Sequence, residues 1–345
     1  MERVRWGVMG AGGIARRRTI PEGILQASHA ELVAVYSPHS GEDVARQFGV
    51  PAAKSEEALF NFDFDAVYVA SPVDCHRRHV ALAAAAGRHV LCEKPLALNV
   101  ADARQMAEDC DRANVVFGVG FMMRFHPHHQ RMAAIVAEGS LGRPVYARAQ
   151  LSCSYPPAPK AWRQDPAQSG GGPLPDLATH CLDLLEMILC QPIRSVFCRK
   201  ANLVHHYPVE DSVVILAEFA HGALATVDCL FNVPDASVKN RFEVYGSGGS
   251  LLAEETIGQA QAGRVVLLRD VRGEAYDAAQ QRTAESAIEI PLAPGNLYRA
   301  QIEEFGRAVR QRTEFVPAGR QGVWIQRVLA ACDLSAVEGI AVTVG

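Results

Sequence analysis

A chain of 345 residues, 49% of them hydrophobic and 21% charged, holds enough apolar material for two domains with separate cores. Its formal charge is −4 and its one basic run, Arg16-Arg17-Arg18, is short, so nucleic acid is not an expected partner. No apolar run approaches the roughly 20 residues that span a bilayer. No secretion-signal pattern precedes the first strand, and nine cysteines without CxxC spacing read as reduced thiols, so the cytoplasm is the expected compartment.

Val4 to Met9 reads as a short buried strand. It runs into Gly10-Ala11-Gly12-Gly13-Ile14-Ala15, then a helix predicted to about Ala27, then a second strand from Glu31 to Tyr36. This is the strand–turn–helix–strand unit of a dinucleotide-binding fold. Gly10 permits the tight turn, Gly12 lets the backbone approach a pyrophosphate, and Ala15 keeps the helix close to the strand. The phosphates would sit near the N–H groups of Gly12, Gly13 and Ile14 at the positive end of the helix. An NAD enzyme usually offers an acid after the second strand to bind the ribose hydroxyls. Here Tyr36 is followed by Ser37-Pro38-His39-Ser40, and the first acids, Glu42 and Asp43, lie inside the next helix. The turn therefore favours NADP, with NAD the alternative; one of Arg16, Arg17 or Arg18 either reaches a 2′-phosphate or lies on a solvated face.

The alternation continues through helix Gly41–Phe48, a short strand near Ala52–Lys54, helix Glu56–Phe60 and strand Ala66–Ala70, which ends in Ser71-Pro72. Helix His76–Ala86, strand His89–Cys92 with Glu93-Lys94-Pro95, helix Asn99–Ala113 and strand Val115–Val119 complete a doubly wound sheet. Its ligands bind beyond the C-terminal strand ends, which is where Gly10–Gly13, Ser37, Ser71-Pro72 and Glu93-Lys94 fall. The predicted boundary is residue 122, with a Rossmann domain over 1–122 and a second domain over 123–345.

After Gly120 the texture changes. Phe121 to about Glu138 reads as one helix with the start Arg124-Phe125-His126-Pro127-His128-His129. With no Cys or carboxylate at ligand spacing, that start is a polar helix end rather than a metal site. Strand-like runs follow at Val145–Ser152, Ile193–Lys200, Ser212–Phe219, Ala223–Asn232, Lys239–Tyr245 and Val265–Leu268, with Ser247–Ser250 read as a turn. They predict an α+β domain with a large, mainly antiparallel, open-faced sheet, whose free face suits a homodimer or homotetramer. Helices at Tyr298–Arg310 and Gly322–Glu338 close the chain.

Between these strands lies Gly170-Gly171-Gly172-Pro173-Leu174-Pro175-Asp176-Leu177-Ala178-Thr179-His180. The glycines and Pro173 predict a loop end and a helix start, with the helix running to about Cys190. Asp176 and His180 are four apart and share a helix face. Alone, the pair is an exposed charge pair; beside a nucleotide fold, it suits a proton donor whose tautomer and basicity the carboxylate sets. Lys94, directly after a buried strand at the ligand edge, suits stabilisation of a developing oxyanion. Tyr155, Tyr298 and His205-His206 are candidate substrate contacts, each equally readable as structural.

Taken together, Gly10–Ala15, Ser71-Pro72 with His76, Glu93-Lys94-Pro95-Leu96, Trp162-Arg163, and Gly170–Gly172 with Asp176 and His180 resemble the glucose–fructose oxidoreductase / inositol dehydrogenase (Gfo/Idh/MocA) family over nearly the whole chain. The resemblance is strong to its sugar-reductase branch around Lys94, Trp162-Arg163 and His180, and that branch tends to use NADPH. It implies a Rossmann domain, an open-faced second domain, and NAD- or NADP-dependent oxidation or reduction of a sugar, cyclitol or related polyol. It also implies that Lys94 contacts the reacting oxygen, that His180 transfers the proton, that Asp176 joins them, and that the Lys94-Pro95 bond is cis. The expected dinucleotide contacts are Gly10, Gly12, Gly13, Ile14, Ser37, His39, Ser71, Pro72, His76, Glu93, Lys94, Arg124, Trp162 and Arg163. Two other readings stay open: an NAD-dependent glycoside hydrolase that oxidises its substrate transiently, and a cofactor-binding regulator without catalysis.

Overall fold

Apolar strands of three to seven residues dominate the first half of the chain, which is what a parallel sheet buried on both faces requires. In the computed structural model, which describes residues 3–159, 161–269, 278 and 286–345, they form one sheet. Its strands are β1 (Val4–Met9), β2 (Ala30–Tyr36), β3 (Ala66–Val69), β4 (His89–Cys92) and β5 (Phe117–Val119), in the order β2-β1-β3-β4-β5. Helix Ala15–Ile24, α1 (Gly41–Phe48), α2 (Glu56–Leu59), α3 (Val73–Ala85) and α4 (Val100–Arg112) make the crossovers. The order switches between β1 and β3, the place outside the C-terminal strand ends where such sheets take their ligands. The Gly10 and Ser71 turns flank it.

Local chemistry explains most departures from the sequence reading. Helix Ala15–Ile24 is π-wound and contains Pro21, which has no N–H to give to a regular ladder. The strand expected near Ala52 is a single bridge to Val35. The helix expected from Phe121 is two: a 3₁₀ turn, Met122–Phe125, and α5 (Pro127–Ala137). His126 caps α5 by accepting from the His128 N–H, and Pro127 occupies the first position, where a missing N–H costs nothing.

The second sheet contains β6 (Pro144–Gln150), β7 (Ile193–Ala201), β8 (Ser212–Phe219), β9 (Leu224–Leu230), β10 (Arg241–Gly246), β11 (Gly249–Glu254), β12 (Arg264–Arg269), β13 (Ser286–Ile290) and β14 (Val342–Thr343). Its order is β13-β12-β11-β10-β6-β9-β8-β7-β14, antiparallel except where β6 pairs with β9. The tract read as a turn at Ser247–Ser250 becomes β11 from Gly249 onward. α6 (Pro166–Ser169), α7 (Thr179–Leu189), α8 (Leu297–Gln311) and α9 (Gly319–Glu338) complete the chain. α5, α7 and α9 lie on the same side of the fold, α7 against β6 and α9 against β7. The opposite face leaves Val214 52% and Leu216 45% exposed.

The C-terminal segment returns to the first sheet. Phe305 of α8 packs on Trp6 with ring centroids 5.3 Å apart, and the Val119 N–H donates to Pro317 O at 3.0 Å. Among the described residues, no helix is long and apolar enough to cross a membrane.

Candidate active site

The turn after β1 is shaped by what it must touch. Gly10 has φ +82°, and a Cβ there would stand 2.3 Å from the Ser71 nitrogen, so only glycine lets the β1 and β3 turns meet. Gly10 and Ala11 both donate to Tyr36 O, which ties the turn to the end of β2. Gly13 has φ +44° and open space where its side chain would be. The N–H groups that begin the following helix have no acceptor within it, and no acid in its first turn opposes its positive end. At the end of β2, Ser37 Oγ and Ser40 Oγ are 2.9 Å apart, while His39 is exposed. Bare glycines before a helix N-terminus, with hydroxyls and no carboxylate beside them, fit a dinucleotide and fit one with a 2′-phosphate.

At the end of β4 the Lys94-Pro95 bond is cis. The Lys94 ammonium donates to Asp176 Oδ1 at 2.9 Å and to Asp176 O at 2.7 Å. Arg163 Nε donates to the other carboxylate oxygen at 3.1 Å, and its guanidinium lies over the Trp162 ring, 4.4 Å from the centroid. Asp176 sits in the π-wound turn Leu174–Ala178 that leads into α7. Gly172 lets this turn approach the segment just before β8: a Cβ there would overlap Glu210 O at 1.9 Å, and Glu210 Oε1 accepts from the Leu174 N–H at 3.1 Å. Burial works to raise the Asp176 carboxyl, but Lys94 and then Arg163 outweigh it and hold the group below the usual carboxylate range.

His180, on α7, is 5% exposed and meets the edge of Phe121 with ring centroids 6.4 Å apart. Its Nδ1 is buried without a hydrogen-bond partner among the described residues. This corrects one expectation. The Asp176 carboxylate gives its oxygens to Lys94 and Arg163 and makes no hydrogen bond to the imidazole among the described residues, so it does not orient the ring, and its charge only partly offsets what lowers the ring's basicity. Burial, followed by the charge of Lys94, pushes His180 well below the ordinary histidine range, with Asp176 only opposing them. These effects favour the neutral imidazole.

Two sequence comparisons bear on this arrangement. A family model described as an oxidoreductase family with an NAD-binding Rossmann fold matches residues 4–121. A second, for the GFO/IDH/MocA C-terminal domain, matches residues 129–252. The 1,5-anhydro-D-fructose reductase of Ensifer adhaerens is 33% identical over 325 residues, 93% of this chain and 92% of that protein. The chain belongs to the Gfo/Idh/MocA oxidoreductase family.

As a member of that family it is an NAD(P)-dependent oxidoreductase. The D-xylose 1-dehydrogenase (NADP(+)) 2 of Haloferax volcanii is 29% identical over 98% of both chains. In fold, the aldose-aldose oxidoreductase of Caulobacter crescentus, solved with glycerol, superposes with a TM-score of 0.88 at 24% identity, covering 99% of this chain and all of that one.

Several expected contacts have other duties in this Gfo/Idh/MocA chain. His76 is buried, with Nε2 3.0 Å from Ser71 O and Nδ1 3.2 Å from both Pro95 O and Leu96 O, so it ties the Ser71-Pro72 turn to the Lys94 loop. Ser71 Oγ lies 2.8 Å from His79 Nδ1, and Pro72 caps α3. The Glu93 carboxylate accepts from Tyr68 OH and, at 3.3 Å, from the Lys94 N–H. Arg124 is not brought to the cluster. It forms a forked pair with Asp183 at 2.6–2.9 Å and lines a cavity with Ala27–Ala30, at the opposite end of β2 from Ser37.

The substrate candidates divide. Tyr155 packs on Phe231 beside Arg163, and Tyr207 OH donates to Tyr155 O at 3.2 Å, which keeps this loop next to Asp176. His205 lies 3.3 Å from Phe231 O, and His206 is exposed. Tyr298 is 1% exposed against the Ala15–Ile24 helix and cannot meet a substrate. Sequence reasoning missed Tyr68, Thr19 and Glu210. A tyrosine inside an apolar strand and a threonine inside a helix carry no signal of their own; Glu210-Asp211 before a strand was a visible but unused one.

Proposed function

We propose that this protein transfers a hydride between NADP and a carbonyl or hydroxyl carbon of a sugar, cyclitol or related polyol, with Lys94 and His180 handling the oxygen on that carbon. The observation that carries this is the joint position of the Lys94 ammonium and of the His180 imidazole, whose Nδ1 has no partner among the described residues, around Asp176 at the C-terminal edge of the sheet. The named activities of the relatives, on 1,5-anhydro-D-fructose and D-xylose, support the substrate class.

When bound, the nicotinamide supplies or accepts the hydride. The residues do the rest. Lys94, pinned by Asp176, points one of its N–H groups at the substrate oxygen and stabilises the charge that collects there. Asp176 stays ionised and keeps the lysine in place, and Arg163 on its other oxygen stops the carboxylate from rotating away. His180, neutral at rest, takes the proton from a hydroxyl during oxidation and later releases it to solvent; in reduction it takes up a proton from solvent and passes it to the alkoxide oxygen, which returns the ring to its neutral form. Trp162 shields the guanidinium stack from water.

Gly10, Gly12, Gly13 and Ile14 would hold the pyrophosphate, with Ser71, Pro72, Lys94, Trp162 and Arg163 around the nicotinamide end. Ser37, His39 and Ser40 would meet the 2′-phosphate. Arg16 Nε donates to Gln47 Oε1 on α1, the helix that follows this turn, at 2.7 Å. The exposed apolar face of the second sheet would join a second copy. A fluorescence titration with NADPH and NADH, followed by turnover on a panel of sugars and cyclitols, tests the reading. Failure to bind either dinucleotide would end it.

A further inference from the structure

Next to Lys94, between the first helix and the ends of β3 and β4, lies a chain of buried hydroxyls that the proposed mechanism leaves unused. Thr19 Oγ1 donates to Tyr68 OH at 2.9 Å, and Tyr68 OH donates to Glu93 Oε1. Thr19 and Tyr68 are fully buried. A phenol has one proton, so a tyrosine that accepts from Thr19 must spend that proton on Glu93. The other Glu93 oxygen accepts from the Lys94 N–H at 3.3 Å. Gly120 reserves the space: a Cβ there would stand 2.8 Å from Glu93 Oε1. The Glu93 carboxyl group is thus tied to the hydroxyl of β3, one residue from the ammonium that must meet the substrate.

We infer that Tyr68, supported by Thr19, is a positioning residue for Lys94: its hydroxyl holds the Glu93 carboxylate away from the lysine ammonium. The inference rests on the reading of Lys94 as the group that meets the substrate oxygen. Glu93 and Lys94 are neighbours in the chain, and a carboxylate released from Tyr68 has an ammonium within reach. An ion pair there would compete with the substrate oxygen for the lysine protons. The restraint runs from the helix that follows the glycine turn, through β3, to the end of β4, so it spans the dinucleotide half of the site.

The test uses the full-length protein with NADPH and 1,5-anhydro-D-fructose, and the variants Tyr68→Phe, Glu93→Gln, the double variant, and Tyr298→Phe. Tyr298 offers a control because its hydroxyl lies buried in the same region without a partner among the described residues. We expect Tyr68→Phe to lose at least tenfold in kcat, with KM and the NADPH dissociation constant within twofold and Tyr298→Phe unaffected. Replacing Glu93 by Gln in the Tyr68→Phe protein removes the competing charge, so the double variant should match Glu93→Gln alone. A second readout needs no substrate. Acetic anhydride labelling of Lys94, read by peptide mass spectrometry, should slow at least threefold in Tyr68→Phe and recover in the double variant. Labelling and kcat within twofold of the parent in Tyr68→Phe, or a double variant that loses the product of the two single losses, would overturn the inference. If the parent does not turn over the sugar, the substrate reading is at fault and the labelling still decides this one. If Tyr68→Phe does not fold, Thr19→Val, which removes the support of the Tyr68 hydroxyl, takes its place: a loss of at least threefold in kcat and a slower labelling of Lys94, both recovered when Glu93→Gln is added, are expected, and values within 1.5-fold of the parent would overturn the inference.

Discussion

Lys94 and Asp176 lie 82 residues apart and meet twice, once through the carboxylate at 2.9 Å and once through the backbone carbonyl at 2.7 Å. The double contact joins the end of β4 in the dinucleotide sheet to the turn that begins α7. It fixes the ammonium from two directions without consuming all three of its protons.

Asp176→Asn removes the charge that holds Lys94 and Arg163 while keeping the shape. We expect kcat to fall about 100-fold, which corresponds to roughly 2.7 kcal/mol of barrier, and stability to fall by about 1–3 kcal/mol. The parent carboxyl is held below the usual range against burial by Lys94 and Arg163, so its contribution is present above the ordinary carboxylate pKa and is lost only as pH falls below it. Steady-state kinetics and thermal melts check both effects.

Gly10→Ala places a methyl at φ +82°, 2.3 Å from the Ser71 nitrogen. A backbone atom cannot yield as a flexible side chain does, so the two turns must separate. The expected cost is on the order of 1–3 kcal/mol of stability, with at least tenfold weaker NADPH binding. Calorimetry and a fluorescence titration read these independently.

The folded chain also carries an acid-sensitive set of histidines. Burial pushes His76 down to about 4 and, with His126 beside it, pushes His129 down to about 3. Between those values and the unfolded value near 6.5, the unfolded chain binds more protons than the folded one. Stability therefore rises with pH across about 4 to 6.5 and is lost as pH falls through that window. Melting temperatures measured from pH 4.5 to 8 should climb to about pH 6.5 and then level. His129→Gln should flatten the climb.

Ser37 stands where an NAD-selective relative of this architecture would carry an acid. Ser37→Asp would repel a 2′-phosphate and offer two oxygens to the ribose hydroxyls. NADPH binding should weaken at least tenfold while NADH binding holds or tightens. Equal weakening of both would argue that residue 37 does not touch the adenosine ribose.

The legible parts of this site were those governed by the backbone. Gly10, Gly12 and Lys94 sit at strand ends, where the need for a turn, a close approach or a ligand edge shows in a few consecutive residues. The two-sheet architecture was legible for the same reason, from runs of four to eight apolar residues. Partnerships over long separations were not. Asp176 and His180 suggested each other because they are four apart, yet Asp176 spends its oxygens on Lys94 and Arg163, which local spacing cannot reveal. Tyr68 read as an ordinary strand residue because its hydroxyl acts only once β3, β4 and the first helix are assembled. β11 was hidden because it starts in a glycine pair and is specified by its pairing with β10 and β12.

The most direct measurement compares sugar-dependent NADPH turnover in the parent, Lys94→Met and His180→Ala at neutral pH, with the NADPH dissociation constant of each taken by fluorescence. The expected result is turnover in the parent, a loss of at least 1,000-fold (about 4 kcal/mol) in both variants, and dissociation constants within threefold of one another. Full activity in His180→Ala or Lys94→Met with NADPH still bound would contradict the assignment of proton and oxyanion handling to these two side chains.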